Sequence, residues 1–145
     1  MTDENAVEQP KIIPERYREI LQGLELRNII LINSSSKMFR EEASASASIS
    51  LNEKASFSKK GDQNIEIIQS YHLVAKNETS KKKYLDILYE TAILYSSKED
   101  FSEEFFDVFK HSSLPLNTWP FFREFVYNIT SRMFIPPLTL PLIKR

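Results

Sequence analysis

Between Ala43 and Leu51 the chain alternates without a break: Ala43, Ala45, Ala47, Ile49 and Leu51 share one parity, and serines fill the other. A period of two predicts a half-buried strand, and its small alanines leave room for a helix to come close. Three further stretches carry the same period. In residues 24–32, Leu24, Leu26, Ile30 and Ile32 share one face and Ile29 and Leu31 the other, the pattern of a central strand or of one that a second protomer covers. Ser34, Ser35 and Ser36 then read as a polar break. Residues 64–77 place Ile65, Ile67, Tyr71, Leu73 and Ala75 on one parity, and residues 84–96 do the same with Leu85, Ile87, Tyr89, Thr91, Ile93 and Tyr95. On the other parity Ile68, Val74, Leu88, Ala92 and Leu94 are too apolar for a fully wet face, so helices or subunits must cover both sides. Phe57 and the turn Lys59-Lys60-Gly61-Asp62 end the alanine-serine strand and predict antiparallel pairing with the next.

Elsewhere the period is helical. Pro14 followed by Tyr17, Ile20, Leu21 and Leu24 predicts a helix over 15–22 that meets Gly23 at its end. Ser102 is placed to cap a second helix over 102–111, with Glu103 and Glu104 at the positive end of its dipole and Phe105, Phe106 and Phe109 on one face. Residues 112–117 read as a turn into a long helix over 118–134. There Phe122, Phe125, Val126, Ile129 and Met133 form an apolar stripe flanked by Phe121 and Phe134, while Glu124, Asn128, Ser131 and Arg132 face away. Beyond it Pro136, Pro137 and Pro141 interleave with Leu138, Leu140, Leu142 and Ile143, an extended apolar tail that must lie against something. The elements add up to an α+β fold: a four-stranded antiparallel sheet, meander or Greek key, with the long C-terminal helix packed on it.

At 145 residues one domain over 1–145 is expected, with residues 1–11, acidic and poor in apolar groups, as a mobile arm. A net charge of -1, from 19 basic and 20 acidic residues, gives no field to draw in nucleic acid or an anionic membrane. No stretch approaches the ~20 apolar residues of a spanning helix, and the start MTDENAVEQP lacks the pattern of a signal peptide, so a cytoplasmic protein is expected. Without cysteine there are no disulfides, thiolate nucleophiles or thiolate metal sites. His72 falls in a strand and His111 at a helix end, neither beside a second ligand, and the acidic cluster Glu99, Asp100, Glu103, Glu104 and Asp107 reads as a solvated helix start. No nucleophile elbow, phosphate loop or dinucleotide fingerprint is present. No enzyme, metal or cofactor is expected.

What stands out is apolar material: 10 phenylalanines, 6 tyrosines and one tryptophan. A core plus an oligomer interface would use it; so would a groove for extended, unfolded polypeptide. Residue chemistry alone leaves both open.

The C-terminal stretch carries a resemblance. Trp119-Pro120-Phe121-Phe122-Arg123-Glu124 is similar to the aromatic-Pro-aromatic-x-Arg-Glu helix opening of the SecB-like export chaperones. Arg132 matches an arginine near that helix's end, and Pro136-x-Leu138-x-Leu140 the family's Pro-x-Leu-x-Leu exit. The resemblance implies a chaperone that binds unfolded or precursor polypeptides, assembled as dimers that pair into tetramers. It implies that Met38, Phe39 and Phe57 border a client groove together with Leu138, Leu140 and Leu142 of the tail. Trp119, Phe121, Phe122, Phe125 and Ile129 would then serve an oligomer interface as well as the sheet. The family continues past its Pro-x-Leu-x-Leu segment into a further helix and an acidic tail that engages the export motor, whereas this sequence runs only to Lys144-Arg145. That trimmed form is similar to chaperones dedicated to one partner, such as an antitoxin. A structural subunit with permanently covered apolar surface is the reading from a different class.

Overall fold

The structure, a computed structural model, describes residues 12–133 and 139–141. Helix α1 (Pro14–Gln22) leads into strand β1 (Leu24–Met38), followed by a short 3-10 turn (Arg40–Glu42) and strands β2 (Ala47–Lys59), β3 (Asn64–Asn77) and β4 (Lys83–Ser97). Helices α2 (Glu103–Phe109) and α3 (Ser113–Arg132) complete the order. All pairings are antiparallel, and the four strands lie in the order β1-β4-β3-β2. Successive hairpins build β2-β3-β4, and β1 pairs on the far side of β4, which is the Greek-key alternative. Residues 39–46 therefore carry the chain from one edge of the sheet to the other, a span of about 14 Å at the usual strand spacing.

Local chemistry sets the turns. Gly61 takes φ 87° between β2 and β3, a left-handed conformation that only glycine adopts freely, and Lys60 N donates to the Asn64 carbonyl at 2.7 Å. Between β3 and β4 the Asn77 side chain accepts from the backbone N–H groups of Thr79 and Ser80 at 2.9 and 3.2 Å. Ser102 caps α2 as expected, its hydroxyl accepting from Phe105 N at 3.2 Å.

The sheet buries one face in two blocks. Tyr71, Leu73 and Ala75 of β3 and Leu85, Ile87 and Tyr89 of β4 meet Trp119, Phe122 and Val126 of α3. In the other block Ile65, Ile67, Ile93 and Tyr95 meet Ile20 of α1, Phe101, Phe105, Phe106 and Phe109 around α2, and Leu114. Between the blocks Gln69 pairs with Thr91, a buried polar row on the same face. Thr91 Oγ1 is buried with no hydrogen-bond partner among the described residues.

Several boundaries differ from the sequence expectation, that of α2 among them, which spans Glu103–Phe109 instead of 102–111. β1 runs through Ser34–Ser36, because their backbone pairs with Tyr89, Leu88 and Ile87 of β4 and the ladder does not need apolar side chains. β1 is also an edge of the sheet, not the central strand that its two apolar faces suggested. β2 begins at Ala47, with Ala43 and Ala45 in the connection before it, and ends at Lys59, where the expected turn begins. α3 begins at Ser113 instead of 118; the expected turn over 112–117 is its first turn, and Leu114 and Pro115 are buried in it. The expected arm over 1–11, Phe134, and Pro136, Leu138, Leu142 and Ile143 of the tail lie outside the described residues.

Candidate binding surface

α3 presents two faces. On the inner one Phe122, fully buried, stacks on Tyr71 with ring centroids 4.8 Å apart, and half-buried Phe125 lies 5.0 Å from Tyr89. Half-buried Ile129 and Met133 extend that contact towards the helix end. Trp119 meets Tyr71 edge-on at 5.5 Å. Tyr71 shares a hydrogen bond of 2.7 Å with Thr118, and burial pushes its phenol up to about 12 in spite of that bond. On the outer face Leu116, Phe121 and Tyr127 are each about half exposed.

Residues 139–141 lie against this helix. Leu140 belongs to neither helix nor strand, yet only 7 % of it is exposed, because it joins the Tyr71–Trp119–Phe122 block. Trp119 Nε1 donates to the Pro141 carbonyl at 2.8 Å and Arg123 Nε to the Leu140 carbonyl at 2.7 Å. The higher-numbered acceptor meets the lower-numbered donor, so the segment runs antiparallel to α3. Beside it Pro120, Arg123, Glu124, Tyr127 and Thr139 line a cavity of about 310 Å³.

Of the residues expected to border a groove, Met38 ends β1 opposite Leu85 and is half-buried, and Phe39 is exposed with its N–H bonded to the Tyr84 carbonyl at 2.9 Å. Both lie at the α3 end of the sheet, as does Leu140. Phe57 lies beyond the Gln69–Thr91 row, its ring 5.0 and 4.8 Å from those of Phe101 and Phe106. The structure thus brings Trp119, Phe122 and Leu140 together and keeps Phe57 apart from them.

Three features escaped the sequence reading. Arg123 is a donor to the tail, and its spacing of four from Trp119, on one helix face, was the available signal. On β2, Ile49 and Leu51 point to the helix-bearing side, opposite buried Ala75 and Leu73, yet are 46 % and 38 % exposed. On β1, Leu26, Ile30, Leu31 and Ile32 are exposed along a free edge that two register shifts interrupt. The opposite sheet face carries a polar cluster in which His72 Nε2 lies 2.7 Å and Lys83 Nζ 3.1 Å from the two Asp86 oxygens. Burial alone would lift the Asp86 carboxyl, but the bonds from His72 and Lys83 outweigh it and hold Asp86 below the usual carboxylate range. Among the described residues no group of three or more His, Cys, Asp or Glu could hold a metal, and no helix is long and apolar enough to cross a membrane.

This arrangement has a counterpart among solved structures. The SecB-like chaperone Rv1957 of Mycobacterium tuberculosis, in complex with a ChAD peptide from the Rv1956 HigA1 antitoxin, superposes with a TM-score of 0.75 at 22% identity, over 90% of this chain and 98% of that one. The chain carries the SecB-like fold. The four-stranded antiparallel sheet with helices packed on it is the fold expected from the sequence, and the two chains cover one another almost completely. A protein of unknown function from Streptococcus agalactiae aligns more distantly, at TM-score 0.43 and 10% identity over 82% of this chain and 97% of that one. No family model and no curated protein matches the chain. Within the SecB-like fold α3 is the long helix on which the expected interface residues lie, and the segment after it is the one that returns to Trp119.

Proposed function

We propose that this chain is a molecular chaperone, without catalysis, that holds unfolded or precursor polypeptide in extended form in the cytoplasm. The observation that carries the reading is the edge of β2. Its backbone is unpaired on one side among the described residues, and Ile49 and Leu51 offer exposed apolar side chains on the face where α3 packs. An extended client segment can pair with such an edge through its backbone and place alternate side chains against that face, recognition that needs no fixed sequence. Phe39 and Met38 would border the same end, where Leu140 lies when no client is bound, and Phe57 would mark the far limit of a long client.

β1 suits a second copy of the chain better. Leu31 and Ile30 face opposite sides of the sheet and both are about half exposed, so a neighbouring strand with its own covering layers fits there. Phe121, Leu116 and Tyr127 on the outer face of α3 would meet a further copy, giving a dimer or tetramer. Trp119, Phe122, Phe125 and Ile129 would support that assembly from beneath, by fixing α3 on the sheet.

A narrower reading, a chaperone dedicated to one partner such as an antitoxin, is favoured by the antitoxin peptide held by the Mycobacterium tuberculosis protein of the same fold. An aggregation assay separates the readings. A general chaperone suppresses light scattering of an unrelated unfolding protein at substoichiometric ratio, a dedicated one suppresses only its partner's, and a structural subunit suppresses neither. Absence of any suppression, with no retained denatured polypeptide, overturns the proposal.

A further inference from the structure

We propose that residues 139–141 are a built-in competitor: they occupy a site for an extended leucine-bearing segment of a client, and client binding displaces them. This rests on the chaperone reading and adds a means of regulation to it. Among the described residues, the side-chain hydrogen bonds to the segment end on backbone carbonyls, at Leu140 and Pro141. Every polypeptide carries those acceptors, so Trp119 and Arg123 can hold any chain laid antiparallel to α3. The one side chain read is Leu140, which is buried to 7 % exposure among Tyr71, Trp119 and Phe122. Such a site selects an extended backbone with a large aliphatic residue at one position, a common feature of unfolded chains.

The occupant is also built to leave. Pro141 has no N–H, so at that residue the segment cannot donate to a strand edge as a client residue can. It competes instead through tethering, which gives a short linked segment an effective concentration on the order of millimolar. A client must therefore bind over more of the surface than the tail does. Short apolar segments would be refused and long ones admitted.

The chain's single tryptophan is one of the two donors, so its emission reports on the site. The test compares wild type with Leu140→Ser, using a fluorescein-labelled, permanently unfolded polypeptide (a reduced and carboxymethylated protein) and a synthetic decapeptide of residues 136–145. In Leu140→Ser the emission should shift to the red and the labelled polypeptide should bind about fivefold or more tightly. Added decapeptide should reverse both effects saturably. Arg123→Gln in the same background should weaken the decapeptide roughly three- to tenfold, the worth of one hydrogen bond. Leu140→Ala, a gentler cut, gives the same direction if Leu140→Ser loses its cooperative melting transition. Client affinity equal to a measurable wild-type value in these variants, or no recovery with decapeptide, overturns the competitor while leaving the chaperone. If neither wild type nor variant retains the polypeptide, the chaperone reading falls and the competitor falls with it.

Discussion

Phe121 and Phe122 are neighbours with opposite duties. The Phe122 ring is enclosed by Tyr71, Tyr89 and Trp119, whereas Phe121 leaves 47 % of itself to solvent. Phe122→Ala should cost about 3–5 kcal/mol, from lost burial and the cavity left behind, and Phe121→Ala less than about 0.5 kcal/mol in the protomer. Urea midpoints of the two variants check this; equal losses would mean that the protomer does not bury Phe122. Asp86 is a second residue with a measurable sign. Its carboxyl is held low in the folded state, so it binds its proton less readily there than in the unfolded chain. The stability it contributes is present above the ordinary carboxylate pKa and lost as pH falls through the depressed folded value. Asp86→Asn should therefore destabilise at pH 7 by roughly 1 kcal/mol, the net worth of one hydrogen bond, and the gap to wild type should narrow as pH falls below the ordinary carboxylate range. A gap of constant size across that range would sink the assignment.

At the scale of elements, the strands with a strict period were legible and the edges were not. β3 was read as it stands, 64–77, because alternation with one buried face is what a central strand writes. β1 reads too short, since Ser34–Ser36 pair through backbone alone, and too deep in the sheet, since apolar residues on both parities look like a central strand while Ile30 and Leu31 are left about half exposed on its two faces. The expected start of α3 is late because Pro120 looks like the proline that opens a helix, but Pro115 in the first turn has that role and Pro120 lies in the interior. There Pro120 deprives the Leu116 carbonyl of its usual partner. Because Pro120 is exposed, Pro120→Ala should restore that bond without disturbing the core and raise stability by on the order of 1–3 kcal/mol, read as a higher melting midpoint. A lower midpoint would mean that the proline fixes a shape of α3 that the sheet requires. The candidate site followed the same division. The inward stripe of α3 is visible in its spacing, whereas the spacing of four between Trp119 and Arg123 puts them on one helix face without saying that both bond a backbone carbonyl.

For the whole molecule the open question is what covers its edges. Both outer strands of the sheet are free among the described residues, and large aliphatic side chains are exposed along each. Isolated free edges invite uncontrolled pairing, and the two register shifts in β1 are the kind of irregularity that limits it without removing the apolar surface. If β1 pairs with a second copy, one edge closes in the symmetric unit and β2 is left open for clients. That division predicts different outcomes for charges placed on the two strands. Leu31→Glu on β1 should lower the native mass measured by light scattering, because two like charges would face each other across the closed edge. Ile49→Glu on β2 should leave the mass unchanged and weaken retention of an unfolded polypeptide several-fold. Both residues are half exposed, so neither change should unfold the protomer, and the two readouts separate assembly from client binding. The reverse result, with mass following β2 and binding following β1, would exchange the roles of the edges, and a mass unmoved by either substitution would leave the assembly to the outer face of α3.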